Sequence, residues 1–385
     1  MQPNIQFFIA AAKLTPARLQ ALVAPALALC IASCTTTESP RSSLDPDQAR
    51  ARIAQLIPAA VTNRDAWAID IFAAFEALDI APTTDHTCAV VAVTQQESTF
   101  HADPTVPGLP QIARKEINSR AARYHIPEMV VHLALQLKSP NGKTYNDRID
   151  HATTERELSE IFEDFIGSVP LGRQLFSDFN PVRTGGPMQV SVAFAESHVK
   201  EKNYPYPLSE SVRHEVFTRR GGLYFGIAHL FDYEAPYDEM IFRFADFNAG
   251  HYASRNAAFQ NAVNVLTHSK LATDGDLLIE GDRADEPSNT ERAIRKIAAK
   301  LDMSDGEIRR DLERQKDGSF TKTKLYERVF ALADRDRKRP LPRAVLPKIK
   351  LQSAKITRNL TTAWFATRVN ERYRQCLQRE SSVER

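Results

Sequence analysis

Apolar residues in this chain recur at steps of three and four along most of its length, and strict two-residue alternation is scarce. Only a 3.6-residue repeat gathers such spacing into one stripe, so the chain is confined to helices packed through apolar faces. Ile53, Leu56 and Ile57 open one such face, and Asp65 to Leu78 carries Trp67, Ile71, Phe72, Phe75 and Leu78 on another. Val90-Val91-Ala92-Val93 has strand propensity, yet Asp85 before it and the polar run after it also fit a helix over His86 to Gln96. Thr154 with Glu157, Ser288 with Glu291 and Ser304 with Glu307 have the spacing of capping boxes, in which side chain and backbone satisfy each other's free donors. Further helices are expected near 289–302, 304–315 and 322–335, and a last one carries Ile356, Leu360, Trp364 and Tyr373. The fold class expected is mainly α.

The N-terminus points to a compartment. Lys13 and Arg18 precede an apolar run from Ala21 to Ser33, which reads as a signal peptide over residues 1–33. Ile31-Ala32-Ser33-Cys34 resembles the lipobox of bacterial lipoproteins, which implies acylation of Cys34 and a membrane attachment through that lipid. Thr35 rather than Asp follows the cysteine, which in Gram-negative lipoproteins implies the outer membrane, here on its periplasmic face. Residues 34–47, rich in Thr, Ser and Pro, read as a tether. Beyond Cys34 only Cys88 and Cys376 remain. An oxidising periplasm permits a disulfide between them, and two buried free thiols are the alternative.

At 385 residues the chain is long enough for two domains or one large one. The acidic, proline-containing stretch Glu280 to Asn289 is the best boundary, dividing a body over 48–280 from a helical region over 289–385. Net charge is only +2, so no field for a polyanion surrounds the whole molecule and no nucleic-acid partner is implied. That balance hides a gradient: residues 319–385 carry a net +11, which leaves the rest at −9. The basic region either adds salt-dependent attraction to anionic surfaces or simply balances the acidic body.

No phosphate-binding glycine loop, GxSxG or HExxH is present, and His214-Glu215 lacks the second histidine. Asp274-Gly275-Asp276 with Glu280 and Asp282 lacks the twelve-residue calcium loop and reads as a solvated acidic loop. No metal or cofactor is implied. Three short blocks stand apart: Gln95-Gln96-Glu97-Ser98-Thr99-Phe100, Thr184-Gly185-Gly186-Pro187-Met188-Gln189-Val190, and Phe244-Ala245-Asp246-Phe247-Asn248-Ala249-Gly250, the last preceded by Gly221-Gly222-Leu223-Tyr224-Phe225. In this order they resemble the soluble lytic transglycosylases and goose-type lysozymes, whose blocks are Glu-Ser-x-Phe, Gly-Leu-Met-Gln and Ala-Tyr-Asn-Ala-Gly. As a whole the chain is also similar to an uncharacterised family of Gram-negative lipoproteins of about this length, which carries no activity over.

The resemblance implies a lysozyme-like helical domain that cleaves peptidoglycan between N-acetylmuramic acid and N-acetylglucosamine. Such cleavage needs an acid that is protonated near neutrality, and a glutamate leaving an apolar helix end suits it. Glu97 follows Val90, Val91 and Val93, so it takes the role of catalytic acid. Ser98, Gly186, Met188, Gln189, Asn248 and Gly250 are the corresponding substrate-binding candidates. Lytic transglycosylases manage with one glutamate, acting as acid and then base; a lysozyme would add a second carboxylate. Asp103, in His-Ala-Asp-Pro, is the nearest and reads as a turn residue. The chain departs from the family at Pro187, in place of leucine, and at Phe247, in place of a tyrosine whose hydroxyl helps to position the acid. Tyr252 offers a replacement hydroxyl. The long gap from Glu97 to Met188 implies an inserted helical subdomain over about 108–179. A non-catalytic lipoprotein that binds peptidoglycan or scaffolds the envelope is the competing class.

Overall fold

The computed structural model describes residues 45–168, 180–208, 210–351 and 360–383, and these are mainly helical. The expected signal peptide, Cys34, residues 169–179 of the expected insert and Ile356 lie outside the described residues.

Three apolar clusters organise the described chain. The first is built around α3 (Thr84–Glu97), in which every residue from Thr87 to Thr94 is buried. A helix buried all round explains why the valine run is helical despite its strand propensity: neighbours on every side supply the packing that a sheet would otherwise give. The Thr83 hydroxyl starts the helix by accepting from the His86 amide at 3.1 Å. Around it lie α1 (Pro46–Leu56), α2 (Arg64–Ala77) and the last helix, which we number α17 (Thr362–Val383). The last helix begins at Thr362, so Leu360 precedes it. A disulfide between Cys88 and Cys376 fastens α17 to α3. Glu380 accepts from Arg52 and Thr84, and the Tyr373 hydroxyl donates to Asp85, so the same two helices are also joined at the surface.

The chain next forms a separate cluster from α4 (Leu109–Arg123), α5 (Glu128–Leu135), α6 (Tyr145–His151) and α7 (Glu155–Gly167). A two-stranded antiparallel ribbon follows, β1 (Thr184–Gly185) and β2 (Val190–Ser191), with Gly185 opposite Val190. Then come α8 (Val192–Glu201), α9 (Val212–Val216), α10 (Arg219–Phe231), α11 (Met240–Ala249) and α12 (Ala253–Thr267).

The remaining cluster packs α12 with α13 (Asn289–Arg295), α14 (Ala298–Leu301), α15 (Asp305–Leu312) and α16 (Lys324–Arg337). Phe259 of α12 stacks on Tyr326 at 5.9 Å and meets Phe320 edge-on at 5.2 Å. Fully buried Arg255 donates to the Asp317 carbonyl at 2.8 Å and to the Gln315 carbonyl, so its charge is matched by backbone dipoles. This cluster begins at Ala258, well before Glu280, and α17 returns to the first one. The division between cores therefore runs along α12, because the apolar face that starts the second core lies upstream of the acidic stretch.

Candidate functional site

Glu97 is the last residue of α3, half-buried at the end of a helix whose middle is buried all round. The next residues turn sharply. Thr99 and Phe100 both have left-handed backbones, with φ of 52° and 60°. Each such conformation costs a non-glycine residue about 1 kcal/mol or more and persists only where packing imposes it. Here Phe100 is buried with its ring edge-on to Trp67 at 5.1 Å, and the His101 amide donates to the Ser98 carbonyl at 3.1 Å. Backbone strain thus sits beside the candidate acid.

Two of the expected ligand contacts change role. The Ser98 hydroxyl is buried and donates to the Thr94 carbonyl at 3.1 Å, so it closes the helix end rather than facing a ligand. Met188 has no exposed surface and sits on Gly226 of α10, where a β-carbon would lie 2.5 Å from its sulfur. It is the seat of the second block, not a contact for sugar.

The second block is locked onto the start of α10. Gly186 has φ of 73°, and a β-carbon there would lie 2.1 Å from the Val216 carbonyl oxygen. A β-carbon on Gly222 would lie 2.4 Å from Pro187. Gly186, Gly221 and Gly222 therefore let backbone meet backbone, while Gly185 makes room for the Phe217 ring. Beneath this corner, fully buried Glu215 accepts from the Tyr204 hydroxyl at 2.7 Å and pairs with Arg220 at 3.4 Å. Gln189 is half-buried, with φ of 51°; its amide oxygen accepts from Thr184 and its nitrogen donates to the Gly186 carbonyl, both at 3.4 Å.

In the third block Asn248 is exposed near the end of α11, and its oxygen accepts from the Thr362 hydroxyl at 2.8 Å. Gly250 has φ of 105° and turns the chain toward α12. Phe247 is buried 5.1 Å from the His229 ring. Tyr252 does not supply the missing hydroxyl: a β-carbon on Gly318 would lie 3.2 Å from its oxygen, and the Arg255 guanidinium covers its ring at 4.2 Å. Asp103 pairs with Arg156 at 3.1 Å, and burial raises its pKa. It ties the Glu97 loop to α7.

Sequence reasoning passed over Asp246 although it stands inside the third block. Its side chain is fully buried and accepts from the Tyr252 amide at 2.9 Å, the Ser254 amide at 2.7 Å and the Tyr233 hydroxyl at 3.2 Å. It thereby caps α12 from outside that helix and holds the Asn248–Gly250 turn. Burial raises its pKa to about 6 against the opposing effect of those hydrogen bonds. An acid amid Phe244, Ala245 and Phe247 was the signal available.

A histidine lattice backs the same block. His229 lies 3.1 Å from the Phe247 carbonyl and His251 lies 2.7 Å from the His229 carbonyl, each through Nε2. A carbonyl only accepts, so both Nε2 atoms carry hydrogen. Burial, with the neighbouring His251, depresses His229 to about 3; burial also lowers His251 and His198. Phe194 packs against all three rings, at 4.7–6.0 Å.

The three blocks border one core: Val93, Phe100, Met188, Val190, Phe225, Phe244 and Phe247 belong to the same apolar cluster. Blocks two and three are also linked through α10, which touches Gly186 at its start and Phe247 through His229.

Residues 60–379 match the family described as "Protein of unknown function (DUF1615)". A protein from Escherichia coli (strain K12), named "Uncharacterized protein YaiW", is 57% identical over 325 residues, covering 84% of this chain and 88% of that protein. No solved structure matches. With a match that runs from the connection before α2 through most of α17, the chain belongs to the DUF1615 family.

Proposed function

We propose that this protein is a lipid-anchored periplasmic enzyme of the lysozyme-like type, a lytic transglycosylase that cuts peptidoglycan glycan strands. The observation that carries this reading is the placement of Glu97 at the exit of a buried helix, followed by two strained residues and bordered by the other two blocks around one core. In the reaction, the Glu97 carboxyl gives its proton to the glycosidic oxygen as the bond to C1 of the muramic acid breaks. The resulting carboxylate then takes the proton from the C6 hydroxyl of that sugar, whose oxygen closes on C1. The products are an anhydro end and a free hydroxyl on the leaving sugar, and no water is consumed. Gln189, Asn248 and Gly250 remain as ligand contacts at the edges of the site, and Cys34 would carry the anchor to the outer membrane.

Incubating the protein with peptidoglycan sacculi and weighing the released fragments tests this. Anhydro-muropeptides are expected, and Glu97→Gln should lower their release by about 10²–10⁴-fold while sacculus binding persists. Reducing ends would instead assign lysozyme chemistry. The replacement of the family tyrosine by buried Phe247, with Tyr252 directed elsewhere, favours a second reading as a peptidoglycan-binding lipoprotein. Intact, bound sacculi with both wild type and Glu97→Gln would establish that reading.

A further inference from the structure

The cluster formed by α4 to α7 presents an apolar face that the proposed reaction does not use. None of the eight residues of α5 is buried. Met129 is 75% exposed and Leu133 63%, and Tyr124, Ile126, Val130 and Leu137 extend the same stretch. Exposed apolar residues are ordinary singly but not when gathered in this way. Beneath α5 lies a cavity of about 280 Å³ walled by apolar side chains, among them Ile117, Val131, Leu135, Ile149 and Phe165. Such a space holds no partners for water and favours hydrocarbon.

Over residues 115–143, which hold this face, five cations outnumber two carboxylates. Lys115, Arg123, Lys138 and Lys143 are exposed. Glu116 is paired with Arg120, and Glu128 accepts from Asn118 at 3.2 Å. Exposed lysines around an apolar centre match anionic headgroups around acyl chains, whereas protein interfaces are depleted in lysine. Tyr124, 61% exposed beside Arg123, has the apolar body and polar tip favoured at a membrane boundary. Eight residues of helix span only about 12 Å, so α5 would lie along a bilayer surface and not cross it.

We infer that α5 and its surroundings dock on an anionic phospholipid surface, with Met129 and Leu133 among the acyl chains and the four cations at the headgroups. This contact is independent of the reaction at Glu97 and additional to any lipid on Cys34. It would fix which way the body faces, which attachment at a single point does not do.

The test places an indole at the face of the full chain, as Met129→Trp, and uses wild type as the background for Trp67 and Trp364. With phosphatidylglycerol vesicles the added emission should shift to the blue. It should fall several-fold when the lipid carries brominated acyl chains. Adding Leu133→Asp, at an exposed position where folding is not at stake, should abolish both changes, and phosphatidylcholine vesicles should weaken them at low salt. An added indole that stays accessible to iodide while the protein is vesicle-bound would overturn the inference. So would a lipid-free dimer that Leu133→Asp converts to monomer, because the face would then belong to a second copy of the chain.

Discussion

Asp246 and His229 both adjoin Phe247, one through the chain and one through its carbonyl, and respond to acid in opposite directions. The folded protein holds the Asp246 proton more tightly than the unfolded chain does, since its pKa rises from 3.8 to about 6. This group therefore weakens the fold as pH rises from about 4 to about 6, by roughly 3 kcal/mol in all. His229 falls from 6.5 to about 3, so the unfolded chain takes that proton first. Its contribution is complete above pH 6.5 and declines by about 1.4 kcal/mol per unit as pH drops toward 3. His251 and His198 shift the same way as His229. The sum should be a protein that loses stability below pH 6.5, with Asp246 partly offsetting the loss. Asp246→Asn can accept only one of the two amide hydrogen bonds, so about 1–3 kcal/mol should be lost at neutral pH. Between pH 6 and 4 its decline should be steeper than that of wild type. Denaturant titrations at several pH values measure both, and parallel pH curves for the two proteins would refute the assignment.

At the scale of elements, the fit between β1, β2 and the start of α10 depends on missing side chains. Gly186→Ala places a β-carbon against the Val216 carbonyl and forces a left-handed alanine, so a loss of more than about 2 kcal/mol is expected. A midpoint in guanidinium indistinguishable from wild type would show that the corner yields. This contact was invisible in the sequence beyond the glycines themselves, because Val216 lies far along the chain. Local signals were legible where local partners decide. Thr154 and Ser304 form complete capping boxes with Glu157 and Glu307. Ser288 forms only half of one: its hydroxyl accepts from the Glu291 amide, but the buried Glu291 carboxylate is drawn to Arg295 and Arg309. Helix type and block positions could be read from spacing. What Met188, Ser98 and Tyr252 touch could not, because each answer depends on an element brought from elsewhere.

For the whole molecule, the disulfide between α3 and α17 encloses most of the described chain. Cross-links of this kind contribute about 2–5 kcal/mol, chiefly by restricting the unfolded state. Replacing both cysteines, Cys88→Ser with Cys376→Ser, should lower stability by that order, and dithiothreitol should do the same to wild type. Equal unfolding midpoints with and without reductant would contradict the cross-link. The arrangement also sets an order of events during synthesis. The helix that ends in Glu97 is made long before α17, one of the helices that cover it. Until then α1 and α2 are on hand to cover α3, but the side that α17 packs against stays open. A ribosome must therefore deliver the 288 residues that separate Cys88 from Cys376 before the packing around α3 is complete, and in a reducing compartment the cross-link would still be missing.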